Sequence, residues 1–414
     1  MKKFARILIG AAAVLSLGAV LTGCGKKSDS SSQQTLKVSI DPSYKSYMKT
    51  MVPKFEKKYN AKVNVTYKAM LDASDALQLD GPSGKGPDVL IMSNGSVGGK
   101  VIQGLVAPVK LDKSRYSGTV ADSTKYKGKY YGAPIVIESI IMYYNKKFVT
   151  KPATTFGEIE KLSKDPKFAY ENDKTKNVAF LAQWTNFYTA YGLIKGYGGY
   201  VFGKDNTNPK DIGLNNDGAV KGLDYIANWY KNTWPTGLQN ATSNENLITQ
   251  QFTSNKTAYV LDGPWMAASY KKAGVDFGAT TIPTLPNGKA YQPFGGGKSW
   301  VISAYTKNKS LSQKWLDFIT NDANQKSFFK ETGEVPANKV ANADAAKSNN
   351  EVVKAVVDES KHTIPAPNIP EMSEVWTPAQ SMITNAASGK YTAKAAADKG
   401  VTTIKQNIKQ KYNK

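Results

Sequence analysis

Cysteine is almost absent from this 414-residue chain, and Cys24 is its one example. No disulfide can form within the chain, and no cysteine cluster can hold a metal. Histidine is as scarce: His362 stands alone, beside Lys361 in a polar stretch. A histidine-based catalytic triad and a histidine-rich metal site are therefore excluded, and no metal or cofactor is expected. Arginine is confined to Arg6 and Arg115. Proteins that read nucleic acid lean on arginine for bidentate contacts to bases and phosphates. Here the net charge of +22 comes from lysines scattered along the chain, not gathered into a stripe. That pattern suits a solvated surface in an anionic cell envelope, with no nucleic-acid partner. A phosphate-binding loop is missing too. Gly295-Gly296-Gly297-Lys298-Ser299 looks like the tail of one, but Gln292 stands where the first glycine is needed. A glycine-rich turn feeding a strand at Trp300-Val301-Ile302 is expected instead.

What is present begins with a leader. Lys2, Lys3 and Arg6 form a basic start, and the apolar run Ile7 to Val20 is too short to span a bilayer comfortably. Leu21-Thr22-Gly23-Cys24 resembles the lipobox of bacterial lipoproteins. The resemblance implies a signal peptide over 1–23 and a diacylglycerol on Cys24. Residues 24–34, rich in serine, lysine and glutamine, read as a flexible tether. Its root-mean-square reach is roughly 15–20 Å.

About 380 residues remain after the tether, more than one core usually organises, so two lobes are expected. Leu36 to Ile40 alternates as a strand, a helical pattern follows through Met48, Met51, Phe55 and Tyr59, and Val63, Val65 and Tyr67 alternate again. Pro53 should start or kink part of that helix. Leu71 to Leu79 reads as a short helix. Val89-Leu90-Ile91-Met92 is a continuous apolar run of the kind found in buried parallel strands. This succession predicts an α/β lobe, with ligand beyond the carboxyl ends of its strands. Polar groups stand there: Asp41 to Tyr44, Ser93 to Ser96, and Glu138. The middle of the chain is crowded with rings, among them Trp184, Phe187, Tyr188, Tyr191 and Tyr197. The last hundred residues are mostly helical in pattern, and Gly389 reads as the stop of a helix over Pro378–Ala387.

Paired carboxylates are the one enzymatic option left. Glu138 fits a glycosidase acid, a hydroxyl acceptor in a sugar cleft, or a satisfied buried acid. Trp376 is equally open. Pro365, Pro367 and Pro370 stiffen the chain before it, which suits either a core ring or a rigid platform frozen in advance of a ligand.

Several stretches in order carry a resemblance. They are Gly86-Pro87-Asp88-Val89, Ala133-Pro134-Ile135-Val136-Ile137-Glu138, Gly198-Gly199-Tyr200, Asn216-Asp217-Gly218-Ala219 and Asp262-Gly263-Pro264-Trp265. The most specific is Pro367-Asn368-Ile369-Pro370-Glu371-Met372, running on to Trp376 and Asn385-Ala386-Ala387-Ser388-Gly389. Together they make the chain similar to the extracellular solute-binding lipoproteins of ABC sugar importers, in the maltose/maltodextrin-binding group. The resemblance implies an α/β, two-lobed periplasmic-binding-protein-like fold of type II, with a ligand cleft between lobes joined by hinge crossings. It places the first lobe at 35–136 plus 300–345 and the second at 139–295 plus 350–414, with the hinge beside Glu138 and near Lys298. The implied protein is a non-enzymatic monomer on the extracellular face of the cell membrane. It would take malto-oligosaccharides and deliver them to a permease.

Residue by residue, the resemblance makes Trp376, Tyr188 and Trp265 stacking faces and Glu138 a hydroxyl acceptor, with Asp75 as a looser acidic contact. The chain also departs from the group's pattern. Ser43-Tyr44, the stretch around Asn94, Asn186 and Gln380 stand where well-studied maltodextrin binders carry ionic residues. Neutral hydrogen bonds are weaker than charged ones, about 1 against about 1.5–3 kcal/mol. A shifted set of sugar subsites is expected, with Asn94 and Gln380 as polar contacts and Tyr44 and Trp184 as extra stacking rings. Other oligosaccharides, such as a galactoside, fructoside or cyclodextrin, remain the alternative ligands.

Overall fold

The computed structural model describes residues 33–240 and 243–412, apart from the side chain of Asp205. The expected leader, Cys24 and the tether as far as Ser32 lie outside the described residues. The rest folds around two sheets. The first has seven strands, and its main path runs Ile364–Pro365, Phe294–Ser303, Val89–Ser93, Thr35–Ile40, Lys62–Tyr67. Val106–Ala107 and Ala133–Glu138 also pair with Phe294–Ser303. Thr35–Ile40 lies parallel to both neighbours, which requires the crossover helices Lys45–Tyr59 and Met70–Asp80. The apolar run Val89–Met92 is buried along its whole length, as a strand covered on both faces must be. The second sheet has four strands in the order Phe180–Ala182, Tyr259–Asp262, Ile141–Asn145, Phe277–Thr280.

Each sheet has its own core. Leu36, Met48, Phe55, Ile135, Trp300 and Trp315 belong to the first. Tyr143, Phe180, Trp184, Leu223, Val260 and Ile383 belong to the second. The fold is thus α/β and two-lobed. Among the described residues no helix is long and apolar enough to cross a membrane.

Local chemistry explains most boundaries. Helix Asp217–Asn228 starts where the Asn216 side chain accepts the Ala219 N–H at 2.8 Å. Helix Trp376–Ala387 stops at Ser388, followed by Gly389 at φ 73°, a left-handed turn that glycine adopts without strain. Of the two places expected for Pro53, the structure puts it inside helix Lys45–Tyr59 and not at its start.

The glycine run 295–297 is not a turn. It belongs to the strand Phe294–Ser303 itself. Close packing from both sides explains the glycines. A Cβ on Gly296 would meet the Tyr188 hydroxyl at 2.5 Å, and one on Gly297 would meet the Val136 carbonyl at 2.4 Å. Only residues without side chains let neighbouring groups approach this strand so nearly.

Candidate functional site

That strand is the spine of the site. From Phe294 to Ser299 it touches, in turn, nearly every polar or aromatic group that its neighbours offer. At its first residue, the Phe294 ring meets Trp376 edge-on at 5.9 Å between centroids and lies 6.2 Å from Tyr188. At Gly296 it faces Glu138 across the ladder. At Lys298 it enters an ion cluster, and at Ser299 it bonds Asn94.

Trp376 is the first residue of helix Trp376–Ala387 and is half-buried. The prolines before it do separate jobs. Pro365 pairs with Gly295 on the spine, and Pro370 opens the short turn Pro370–Glu374, whose Met372 is buried. Asn368 donates to the Lys125 carbonyl of the first lobe at 2.6 Å, and its Oδ1 leaves no room for a Cβ on Gly98. The segment is therefore tied at both ends before the tryptophan is presented. Phe187 and Phe294 then grip the ring edge-on, each at 5.9 Å. An open groove of about 460 Å³ runs past Trp376, Gln380, Thr384 and Lys390, so Gln380 shares a surface with the ring.

Trp265 follows the strand Tyr259–Asp262, and the Asp-Gly-Pro-Trp stretch is explained by how its ring lies. The ring folds back over Gly263, where a Cβ would sit 2.1 Å from it. Pro264 opens the turn, and Asp262 accepts the Gly263 N–H at 2.7 Å and the Tyr270 hydroxyl at 2.9 Å. Burial pushes the Asp262 carboxyl up to about 7. Trp265 itself is 39 % exposed. Tyr188 is half-buried in the first turn of helix Phe187–Gly196, and burial pushes its hydroxyl above the usual tyrosine range. Asn186 caps that helix by accepting the Tyr188 N–H at 2.9 Å, so its carbonyl oxygen is already engaged.

Glu138 ends the strand Ala133–Glu138 and is buried. Its Oε1 lies 2.7 Å from Lys298 Nζ, as an ion-pair contact off the hydrogen-bond line. Glu334 Oε2 meets the same ammonium at 2.9 Å. Burial pushes the Glu138 carboxyl up, and the Lys298 charge opposes that shift. Burial alone would lower the lysine, but Glu138, Tyr44 and Glu334 together hold it well above the usual range. Lys298 is thus a charged group in the interior. Neither Lys298 nor Glu334 stood out in the sequence as a site residue. The one available signal was a lysine set between a glycine run and an apolar strand.

Two expected stacking rings are corrected. Trp184 is fully buried, 5.0 Å from Trp234 and enclosed by Phe156, Phe180, Tyr225 and Trp229. It fills the core of the second lobe because several aromatic elements converge on it. Tyr44 is 2 % exposed. Its ring packs near Phe328, and its hydroxyl accepts from Lys298 at 2.7 Å and donates to Glu334 at 3.0 Å. It serves the ion cluster and offers no open face.

The remaining residues fall at the edges. Asn94 is buried and spent on the protein: its amide donates to Ser123 at 3.0 Å and accepts from Ser299 at 2.6 Å. Asp75 lies on helix Met70–Asp80, with its side chain 81 % exposed and 3.0 Å from Lys100. A second open groove, of about 430 Å³ between Arg115 and Lys339, holds none of these residues.

Half-open rings packed on one strand, one of them beside a buried acid, can bind a ligand with apolar faces and hydroxyls. The sequence profile of bacterial extracellular solute-binding proteins matches residues 50–355. The maltodextrin-binding protein MdxE of Bacillus subtilis (strain 168) is 44% identical over 406 residues, covering 98% of this chain and 97% of that protein. A galactooligosaccharide-binding protein of the same organism is 36% identical, covering 100% of this chain and 99% of that protein. The crystal structure of MalX from Streptococcus pneumoniae in complex with maltopentaose aligns with a TM-score of 0.88 at 44% identity, covering 90% of this chain and 100% of that chain. The profile matches most of the chain, relatives and fold agree over nearly all of it, and this protein belongs to the bacterial extracellular solute-binding protein family.

Proposed function

We propose that this protein is the capture component of an ABC sugar importer, binding malto-oligosaccharides between its lobes and passing them to a membrane permease without altering them. The observation that carries the reading is the pair of half-open rings Trp376 and Tyr188 packed against Phe294 of the spine, whose next residues pair with Glu138, with Trp265 as a further exposed ring after the strand Tyr259–Asp262. A pyranose presents a flat C–H face that an aromatic ring covers without needing hydrogen bonds. Its rim of hydroxyls needs acceptors, which Glu138, Gln380 and Asp75 supply. Holding Trp376 in place through the Pro365–Pro370 segment spares ordering entropy when ligand arrives. The similarity to proteins named for maltodextrin binding supports this ligand class.

In this reading residues 35–136 plus 300–345 form one lobe and 139–295 plus 350–414 the other. They close about the crossings beside Glu138 and Lys298, because ligand touches both lobes only when they are closed. The protein works as a monomer, tethered by lipid on Cys24 to the extracellular face of the membrane.

Calorimetric titration of the body from Thr35 onward with maltose, maltotriose, maltopentaose and a cyclodextrin tests the ligand class. Saturable binding that strengthens with chain length is expected. A second reading, a galacto-oligosaccharide receptor, is favoured by the 36% identity to the galactooligosaccharide-binding protein. Saturation by a galacto-oligosaccharide with no response to the malto-series would establish it. Chromatography of the sugar after incubation should show it uncleaved.

A further inference from the structure

Two crossings between the lobes, beside Glu138 and near Lys298, meet at one side chain. Glu138 ends the strand Ala133–Glu138, Lys298 lies in the strand Phe294–Ser303 that pairs with it, and Glu334 precedes Val335, whose carbonyl accepts the Ile137 N–H at 2.9 Å. Lys298 Nζ lies 2.7 Å from Glu138 and 2.9 Å from Glu334. It also donates to the Tyr44 hydroxyl at 2.7 Å, and the ammonium sits 5.3 Å from the centre of that ring. A single removal would leave two buried carboxylates facing one another with no cation, which is costly in a low-dielectric interior.

We propose that Lys298 is a positioning residue for the sugar site: it ties the crossing at Glu138 to its own strand and to the Glu334 segment, and holds the Glu138 carboxylate in place as an acceptor for a ligand hydroxyl. The assignment rests on the sugar-binding reading above. Four charged or titratable groups face Glu138: Lys298 from the spine, Glu334 from the segment before Val335, Tyr44 from the first lobe and Tyr188 from the second. Lys298 is the one cation among them. The ammonium 2.7 Å away favours the ionised acid, so sugar affinity is expected to be flat with pH. Without it, burial and Glu334 both favour the protonated acid, which cannot accept in the same way. Affinity then climbs as pH rises and the carboxyl ionises.

The test is calorimetric binding of maltopentaose between pH 6 and 9 by the unaltered body, Lys298→Met, Glu138→Gln and the double variant. The unaltered protein is expected to bind with constant affinity. Lys298→Met should bind at least tenfold more weakly at pH 6.5 and recover at least threefold by pH 9. That recovery should vanish in the double variant, because the titrating group is gone. A merely structural lysine would weaken binding equally at every pH, and that result overturns the proposal. So does unchanged, pH-independent binding by Lys298→Met. If Lys298→Met does not fold, the unaltered protein decides. A change in affinity across this range that disappears in Glu138→Gln shows that Lys298 does not keep the acid ionised. Failure of the unaltered protein to bind any oligosaccharide overturns both this assignment and the sugar-binding reading, whereas binding with an indifferent Lys298 overturns this assignment alone.

Discussion

The second lobe holds two groups of aromatic rings that the sequence presents alike and the fold treats in opposite ways. Trp184, Trp229 and Trp234 form a cage sealed from solvent. Trp376, Tyr188 and Trp265 each keep part of a ring open. The buried acids divide similarly. Glu359 sits in the sealed region with Ile282 N–H on one oxygen and no hydrogen bond to the other, whereas Glu138 faces Lys298. In each case the side chain's chemistry is the same, and what differs is what lies against it. A ring walled on every side contributes stability; a ring gripped only along its edge keeps a face for a ligand.

The largest expected effect comes from breaking the sealed cage. Trp184→Ala removes a buried ring whose neighbours cannot all close the gap, at a cost of about 3–5 kcal/mol. Urea unfolding should show it as a lower midpoint, while the folded fraction binds sugar with unchanged affinity. Loss of affinity with intact stability would move Trp184 back among the ligand contacts.

Next is the sealed acid. Burial raises the Glu359 carboxyl from 4.5 to about 8 in the folded protein. The native state then holds its proton more tightly than the unfolded chain does. This contribution is therefore fully favourable below about pH 4.5, is lost as pH rises toward 8, and is flat above that. At about 1.4 kcal/mol per unit, the loss across the window is about 5 kcal/mol. Glu359→Gln should abolish this part of the slope and leave the protein more stable at pH 8. Unfolding free energies measured at pH 5, 6.5 and 8 decide the matter; an unaltered slope would show that the acid reaches solvent or a cation.

Trp376→Ala should do the reverse of Trp184→Ala. A central aromatic anchor is worth about 2 kcal/mol or more in binding, which is about thirtyfold in affinity. Its loss of packing on Phe187 and Phe294 should cost less in stability than opening the cage. If both tryptophan variants lose stability and neither loses affinity, the division between sealed and open rings is wrong.

How much of this was legible in the sequence depended on range. The parallel strands at Leu36–Ile40 and Val89–Met92 announced themselves by period and by an unbroken apolar run, because those signals are local. Trp376 and Trp265 were named through a resemblance carried by motifs whose residues meet local needs: prolines that stiffen, and a glycine over which the Trp265 ring folds back. Trp184 and Tyr44 were misread because their exposure is set by residues far along the chain, such as Trp234 and Glu334. The glycines at 295–297 were read as a turn for the same reason. What forbids a side chain there is Tyr188, Val136 and Asn94, none of them a sequence neighbour. Lys298 was read only as a neighbour of the hinge, because its ion cluster exists only once Glu138, Glu334 and Tyr44 meet.

The smallest effect separates a surface pair from a cleft contact. Asp75 is largely exposed and bonded to Lys100, whose side chain is 13 % exposed. Exposed ion pairs contribute about 0–1 kcal/mol, so Asp75→Asn should barely move the thermal midpoint. Its reach toward a bound sugar is a separate matter, and chain length exposes it. An acid on the helix Met70–Asp80 of the first lobe meets the ligand only if the sugar spans both lobes. Asp75→Asn should then weaken maltopentaose binding severalfold. An equal response from maltose would place even the shorter ligand across both lobes. No response from either sugar would leave Asp75 as the surface partner of Lys100 and confine acid recognition to Glu138, on the spine.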